Sequence, residues 1–210
     1  MLKLFYAPGA CSLASHIALE EAGVDYEIAR LDLAKGDQAK PEYKAVNPKG
    51  KVPALATDRG VLTENPAILA YIAQSYPAAA LAPTDPFAFA EFQAFNMWLS
   101  SSVHVIFGHA FRPGRWADGD EAAAAIKAKV PHSLEEQFAQ VEDRLADGRP
   151  WVHGEAFTAS DGYLLVFSRW FARDGMGDWR RFERVSAHRE RVQARPAVRK
   201  VLAEEGLAPV

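Results

Sequence analysis

With 210 residues and 24 Lys and Arg against 27 Asp and Glu, the chain carries a formal charge of −3 and lacks the global basic field that drives nucleic-acid binding. It is long enough to bury about 70% of the surface its unfolded form exposes, so folding requires no metal or disulfide staple. Its single cysteine, Cys11, excludes an intrachain disulfide framework and a cysteine-rich zinc site, fits a reducing compartment, and leaves a lone thiol to explain.

The apolar start at Met1 is cut by Pro8-Gly9 before it reaches the length of a signal-peptide core, so a cytoplasmic protein with no membrane association is expected. Leu2 to Tyr6 reads as a strand delivered into the Pro8-Gly9 turn. A helix follows, with Ser12 as capping residue, Leu13 and Ile17 at i,i+4, and Gly23 past its end. Val24 to Leu31 alternates and is a second strand, completing a βαβ unit. Lys35 to Lys51 is polar and holds at most a short helix around Pro41 to Val46. Val52 to Thr57, the turn Asp58-Arg59-Gly60 and Val61 to Thr63 form a hairpin. Asn65-Pro66 then opens a helix that Tyr76-Pro77 ends.

Pro77 to Pro86 is rich in Pro, Ala and Asp and reads as a stiff linker, placing a domain boundary there: residues 1–78, a linker at 79–86, and residues 87–210. Beyond it no strand pattern appears. Ala88, Phe92, Phe95, Leu99, Val103 and Ile106 mark one long amphipathic helix, and Arg112 to Asp120 a loop. Ile126 to Leu145 is another long helix containing Pro131. Thr158 and Asp161 have capping-box spacing for a helix towards Trp170, whose start leans on tertiary packing because Gly162 offers no staple. Val185 to Arg195 and Ala197 to Glu205 are shorter helices parted by Pro196. The expected fold is a small α/β domain followed by a larger all-α one.

Four features bear on chemistry. Cys11 sits between a strand and a helix, where backbone N–H groups and the helix dipole favour a thiolate, although a lone cysteine is equally a small buried hydrophobe. No second cysteine stands three residues away, which removes a dithiol motif. Val52 before Pro53 is held extended, and the bond between them is a cis candidate. Glu64 and Asn65 precede a helix N-terminus able to receive a carboxylate, or simply cap it. Asn96, Ser100 and His104 recur at i,i+4 and form a polar stripe that faces either ligand or solvent. The histidines lack metal-ligand spacing, and no phosphate loop or serine-hydrolase elbow is present. The arginines from Arg180 to Arg199 are interrupted by Glu183 and Glu190 and read as a solvated face.

Taken together, Tyr6 to Ser12, Asn47 to Leu55, Leu62 to Ile68 and Phe157 to Asp161 resemble a cytosolic glutathione S-transferase, and Ala7 to Ser12 with Val103-His104 resembles the bacterial beta class. The resemblance spans nearly the whole chain. It implies a thioredoxin-like N-terminal domain of βαβ-ββα order that binds glutathione, an all-α domain that walls an electrophile pocket, no metal, and a homodimer. It further implies that Val52 and Pro53 present backbone to the cysteinyl part of glutathione, that Glu64 and Asn65 take the γ-glutamyl end, and that Lys35 reaches the glycyl carboxylate. Cys11, Ser12 and His104 become the groups facing the glutathione sulfur, with the pKa of the glutathione thiol expected to be lowered so that its thiolate attacks. Phe5, Phe107, Phe111 and Trp170 become pocket walls for a small hydrophobic electrophile. One departure stands out: Val105 follows His104 where the beta-class pattern has a lysine.

Overall fold

Alternation in Leu2–Tyr6 is the simplest determinant of the N-terminal half. In the computed structural model, which describes all 210 residues, β1 (Leu2–Tyr6) buries Leu2, Leu4 and Tyr6 on one face and turns Lys3 and Phe5 to the other. β2 (Tyr26–Arg30) runs parallel to it, with Leu2 opposite Tyr26, which requires the intervening α1 (Leu13–Glu21) as crossover. β3 (Ala54–Thr57) and β4 (Gly60–Thr63) form the expected hairpin, and β3 lies antiparallel to β1, giving the order β2-β1-β3-β4. Between β2 and β3 lies only the short α2 (Pro41–Lys44), and α3 (Asn65–Ser75) follows the hairpin. Strand, helix, strand, hairpin and helix therefore occur in the predicted order.

The C-terminal half is helical: α4 (Pro86–Trp98), α5 (His104–Phe111), α6 (Asp120–Arg144), α7 (Ala159–Phe171), α8 (Glu183–Gln193) and α9 (Pro196–Glu204). The segment before α4 is not a free spacer. Leu81 is buried, and its carbonyl accepts the Ala159 N–H at 2.8 Å.

The single long helix expected around Leu99 is interrupted, because Leu99–Val103 forms π-helical turns between α4 and α5. A π turn adds residues per turn, so an i,i+4 stripe cannot persist through it. Asn96 instead turns into the core, where its Oδ1 accepts the Ser160 hydroxyl at 2.9 Å. Ser100 bonds back to the Met97 carbonyl, and His104 alone packs between Phe167 and Trp170.

One cluster of 39 buried residues runs from Leu2 to Leu202, joining both halves through α1. That helix is buried from Leu13 to Leu19 on every side, because the sheet and α3 cover one flank and α7 and α9 the other. A second cluster, Ala7, Leu31, Tyr43, Val52 and Ala54, lies on the opposite face of the sheet.

Contact between α1 and α7 depends on Gly162, since a Cβ built there meets Ile17 Cγ2 at 3.1 Å. Ile17 is branched and fully buried, so it has no room to yield. Gly162→Ala gains helix propensity but overpacks this crossing, and the expected net is a loss of about 1 kcal/mol, or ~3 °C in melting temperature. Calorimetry checks it, and an unchanged or raised melting temperature would show that the two helices part freely.

Candidate functional site

Where β1 ends, the chain turns at Ala7-Pro8-Gly9 into α1, and the Ser12 hydroxyl closes that turn. It accepts the Ala7 N–H at 3.1 Å and lies 3.2 Å from the Ala7 carbonyl, to which it donates. Gly9 adopts φ 66°, a left-handed conformation that suits glycine. Its N–H donates to Glu205 Oε2 at 2.8 Å and its carbonyl accepts Trp170 Nε1–H at 2.9 Å, so side chains from the helical half fix this turn from both sides.

Cys11 thus arrives where the two cores meet. Its Sγ lies 3.3 Å from the Val52 carbonyl, to which the thiol donates. The Val52-Pro53 bond is cis. Just before it, Tyr43 Oη–H and Asn47 Nδ2–H both donate to the Lys51 carbonyl at 2.7 Å, anchoring the segment that presents Val52.

Across from Cys11 lies the N-terminus of α3. Glu64 precedes it with φ 71°, a strained conformation for a residue with a side chain. Lys49 Nζ donates to Glu64 Oε1 at 2.6 Å and to Thr63 Oγ1 at 3.0 Å. The buried Asn65 amide donates from Nδ2 to the Cys11 carbonyl at 2.8 Å, and its Oδ1 accepts the Ser15 hydroxyl at 2.7 Å. The Asn65 N–H at this helix N-terminus makes no bond within the protein, and such a group suits a carboxylate.

Burial pushes the Cys11 thiol up to about 12, outweighing the backbone N–H groups of Cys11 and Ser12 and the Lys51 charge that pull it down. Burial likewise pulls His104 down to about 4, with Lys51 adding to the effect. Both groups are therefore neutral at physiological pH. Around them stand aromatic side chains: Trp170 has its ring 5.4 Å from His104, and Phe111 lies edge-on to Trp170 at 5.5 Å.

A thiol, an open helix N-terminus and an apolar aromatic wall thus stand together beside a thioredoxin-like sheet. Residues 1–74 match the family described as "Glutathione S-transferase, N-terminal domain". Glutathione S-transferase GstA of Escherichia coli O157:H7 is 37% identical over 98% of this chain and 100% of its own. The chain belongs to the glutathione S-transferase family. Among solved structures, a glutathione transferase homologue from Sulfitobacter with bound glutathione is 36% identical, with a TM-score of 0.92 and 99% of both chains covered. A bacterial beta-class glutathione S-transferase from Sphingomonas chungbukensis is 38% identical, with a TM-score of 0.84 over 98% of this chain and 100% of that one.

Within this transferase the structure gathers Cys11, Val52, Pro53, Glu64, Asn65, His104, Phe111 and Trp170, and corrects five expectations. Ser12 is wholly buried and tied to Ala7, so its hydroxyl neither caps α1 nor faces a ligand. The Asn65 side chain is committed to Ser15 and Cys11, which leaves its backbone N–H as the group on offer. Lys35 is 78% exposed and pairs with Asp32, whereas the Lys51 charge is the one felt at both Cys11 and His104. Phe5 belongs to the other face of the sheet, with its ring 5.7 Å from Tyr43, and Phe107 is fully buried between Phe111, Phe167 and Trp170. Finally, Cys11 itself, at a turn whose amide dipoles favour a thiolate, is held protonated, since burial at the junction of two cores exceeds what those dipoles return.

Sequence reasoning passed over Lys49, Lys51 and Glu205. The first two stand in the Asn47 to Leu55 stretch, where a positive charge on each side of Gly50 is the available signal. Glu205 carried none, lying 196 residues from the Gly9 amide it receives. No group of three or more His, Cys, Asp or Glu is placed to hold a metal ion, and no helix is long and apolar enough to cross a membrane.

Proposed function

We propose that this transferase, in the cytoplasm, joins the glutathione thiolate to soft hydrophobic electrophiles, with residues 1–78 binding glutathione, 79–86 linking, and 87–210 walling the electrophile pocket. The observation that carries the reading is the Cys11 Sγ–H···O=C contact to Val52, made beside the free Asn65 N–H and the His104–Trp170–Phe111 aromatic wall. The Val52 backbone pairs with the cysteinyl part of glutathione as an added strand would. The γ-glutamyl carboxylate meets the start of α3, and its amino group meets Glu64. A glutathione amide N–H taking over the Val52 carbonyl frees the Cys11 thiol to turn to the incoming sulfur.

Cys11 then acts as a donor, because a thiol at about 12 keeps its proton at neutral pH. Its S–H, the N–H groups of Cys11 and Ser12, and a neutral His104 N–H stabilise the glutathione thiolate and lower that thiol's pKa. The thiolate attacks the electrophilic carbon, a C–S bond forms, and with an aryl halide the halide ion departs. Thiol-disulfide exchange or peroxidase chemistry through Cys11 needs the thiolate, which this pose disfavours, so conjugation is the main activity and exchange the lesser one.

Glutathione binding, conjugation of 1-chloro-2,4-dinitrobenzene and intact mass after oxidised glutathione test the assignment together. Cys11→Ala is expected to lower kcat/KM by about tenfold or more. Iodoacetamide should alkylate free-protein Cys11 far more slowly than a small free thiol up to about pH 10, rising only as pH approaches 12. Rapid alkylation at pH 8, or a glutathione adduct forming at that pH as fast as conjugation, would make exchange the main role. Tight glutathione binding without conjugation would leave a binding module of the same fold.

We also propose a homodimer. Phe87, Ala90, Ala94 and Met97 stand exposed at spacings of three and four along α4, with Phe87 75% exposed, a stripe suited to a partner. Light scattering is expected to give about twice the 23.1 kDa chain mass, and Phe87→Glu with Met97→Glu to halve it. A wild-type mass of one chain would overturn the dimer.

A further inference from the structure

Charge beside Phe111, at the outer end of the aromatic wall, comes from arginines. Arg112 follows Phe111 and Arg115 ends the short Pro113–Arg115 turn after it, and the Arg173 guanidinium lies 5.7 Å from the centre of the Phe111 ring. The Arg115 charge reaches both His104 and Arg112, and that of Lys51 reaches His104 and Cys11. None of these four side chains has a carboxylate within 4.0 Å or a side-chain hydrogen bond, although Arg149, Arg181, Arg184 and Arg195 elsewhere are each paired. On the glutathione side, the Glu64 charge also reaches His104 and Cys11, but its carboxylate is paired with Lys49.

We infer that the electrophile carries an anionic group, a carboxylate, held by Arg115 and Arg173 while its unsaturated or aromatic part lies on Phe111 and Trp170. Clustered cations without partners raise the local concentration of an anion and supply fork-shaped donors that fit a carboxylate. The aromatic wall alone gives no preference for charge, so the arginines set the specificity. Positive charge absent at Val105 thus returns from the α5–α6 connection and from just beyond α7. The inference rests on the transferase reading of the same pocket.

Two matched probes test it: 4-chloro-3,5-dinitrobenzoate and its methyl ester, each attacked by the glutathione thiolate at C4 with loss of chloride. With each enzymatic kcat/KM divided by the uncatalysed rate, the carboxylate is expected to be favoured by about fivefold. The ratio should fall towards one in Arg115→Gln/Arg173→Gln and in about 0.5 M salt, and stay unchanged in Arg180→Gln, whose guanidinium stacks on Trp179 instead. A wild-type ratio of one, or a ratio the double substitution does not move, overturns the inference. So does a rise in the KM for glutathione that is equal with both probes, since the arginines would then serve glutathione's own carboxylates. Calorimetric binding of the two preformed glutathione conjugates separates the inference from its premise. Tighter binding of the charged conjugate, lost in the double variant, with neither probe turned over, ends the transferase reading and keeps the anionic pocket.

Discussion

Asp161→Ala is expected to cost about 4 kcal/mol, lowering the melting temperature by ~10 °C and reducing soluble yield. Asp161 is fully buried and accepts four hydrogen bonds. Oδ1 takes the Val152 N–H at 2.9 Å and His188 Nε2–H at 2.8 Å, and Oδ2 takes the Thr158 N–H at 2.8 Å and its hydroxyl at 3.0 Å. It closes the capping box of α7, pins the loop before that helix and holds α8 through His188, so three segments share one carboxylate. Alanine strands all four donors in the buried interior, and each orphaned donor costs about 1 kcal/mol or more. Asp161→Asn keeps one acceptor oxygen but points an NH2 group at the other pair of donors, so it should recover no more than half. Thr158→Ala, which leaves the carboxylate in place, is expected to cost only about 1 kcal/mol. Denaturant titration orders the three variants. An Asp161→Ala protein within 1 kcal/mol of wild type would mean that the segments hold together by apolar packing alone.

The same capping box shows why some features were legible. Thr158-Ala159-Ser160-Asp161, Asn65-Pro66 and Pro8-Gly9 each act through neighbours in the chain, and elements that begin at such signals lie where the pattern puts them. The π turns at Leu99–Val103 contain neither Pro nor Gly, and an apolar pattern continues through them, so nothing local announces the break. Phe5 is a different kind of miss. Its odd position between Leu4 and Tyr6 already sent it to the other face of the sheet, and the alternation was readable. At the site, the place of Cys11 was local information but its protonation was not. The balance between two amide dipoles and burial depends on how closely Val52 and the helical half pack over the sulfur, which only tertiary structure sets. Ser12 shows the same limit at shorter range, since the turn at Ala7 decides where its hydroxyl points.

The second large effect is expected at Glu205, beyond the end of α9. Its Oε1 accepts His16 Nδ1–H at 2.9 Å, both side chains are fully buried, and Glu204 Oε2 lies 3.3 Å from His16 Nε2. Its Oε2 accepts the N–H of Gly9, whose carbonyl in turn holds Trp170. Glu205→Ala leaves the buried His16 Nδ1 and the Gly9 amide without partners, and should cost about 3–5 kcal/mol. A purely structural role would end there. Because the released amide belongs to the turn that delivers Cys11, the variant should also raise the KM for glutathione, measured at a temperature where it remains folded. His16→Leu alone is expected to be comparably destabilising, since it leaves the buried Glu205 Oε1 without its partner. His16→Leu with Glu205→Leu removes both polar groups together and should regain about 2 kcal/mol over the sum of the single losses. Only Glu205 variants free Gly9, so stability and glutathione affinity should separate: His16→Leu loses the first and largely keeps the second, whereas the double variant recovers stability but not affinity. Equal KM shifts in His16→Leu and Glu205→Ala would mean that the Gly9 contact does not position the turn, and a double variant no more stable than the sum of its parts would mean the two side chains act independently.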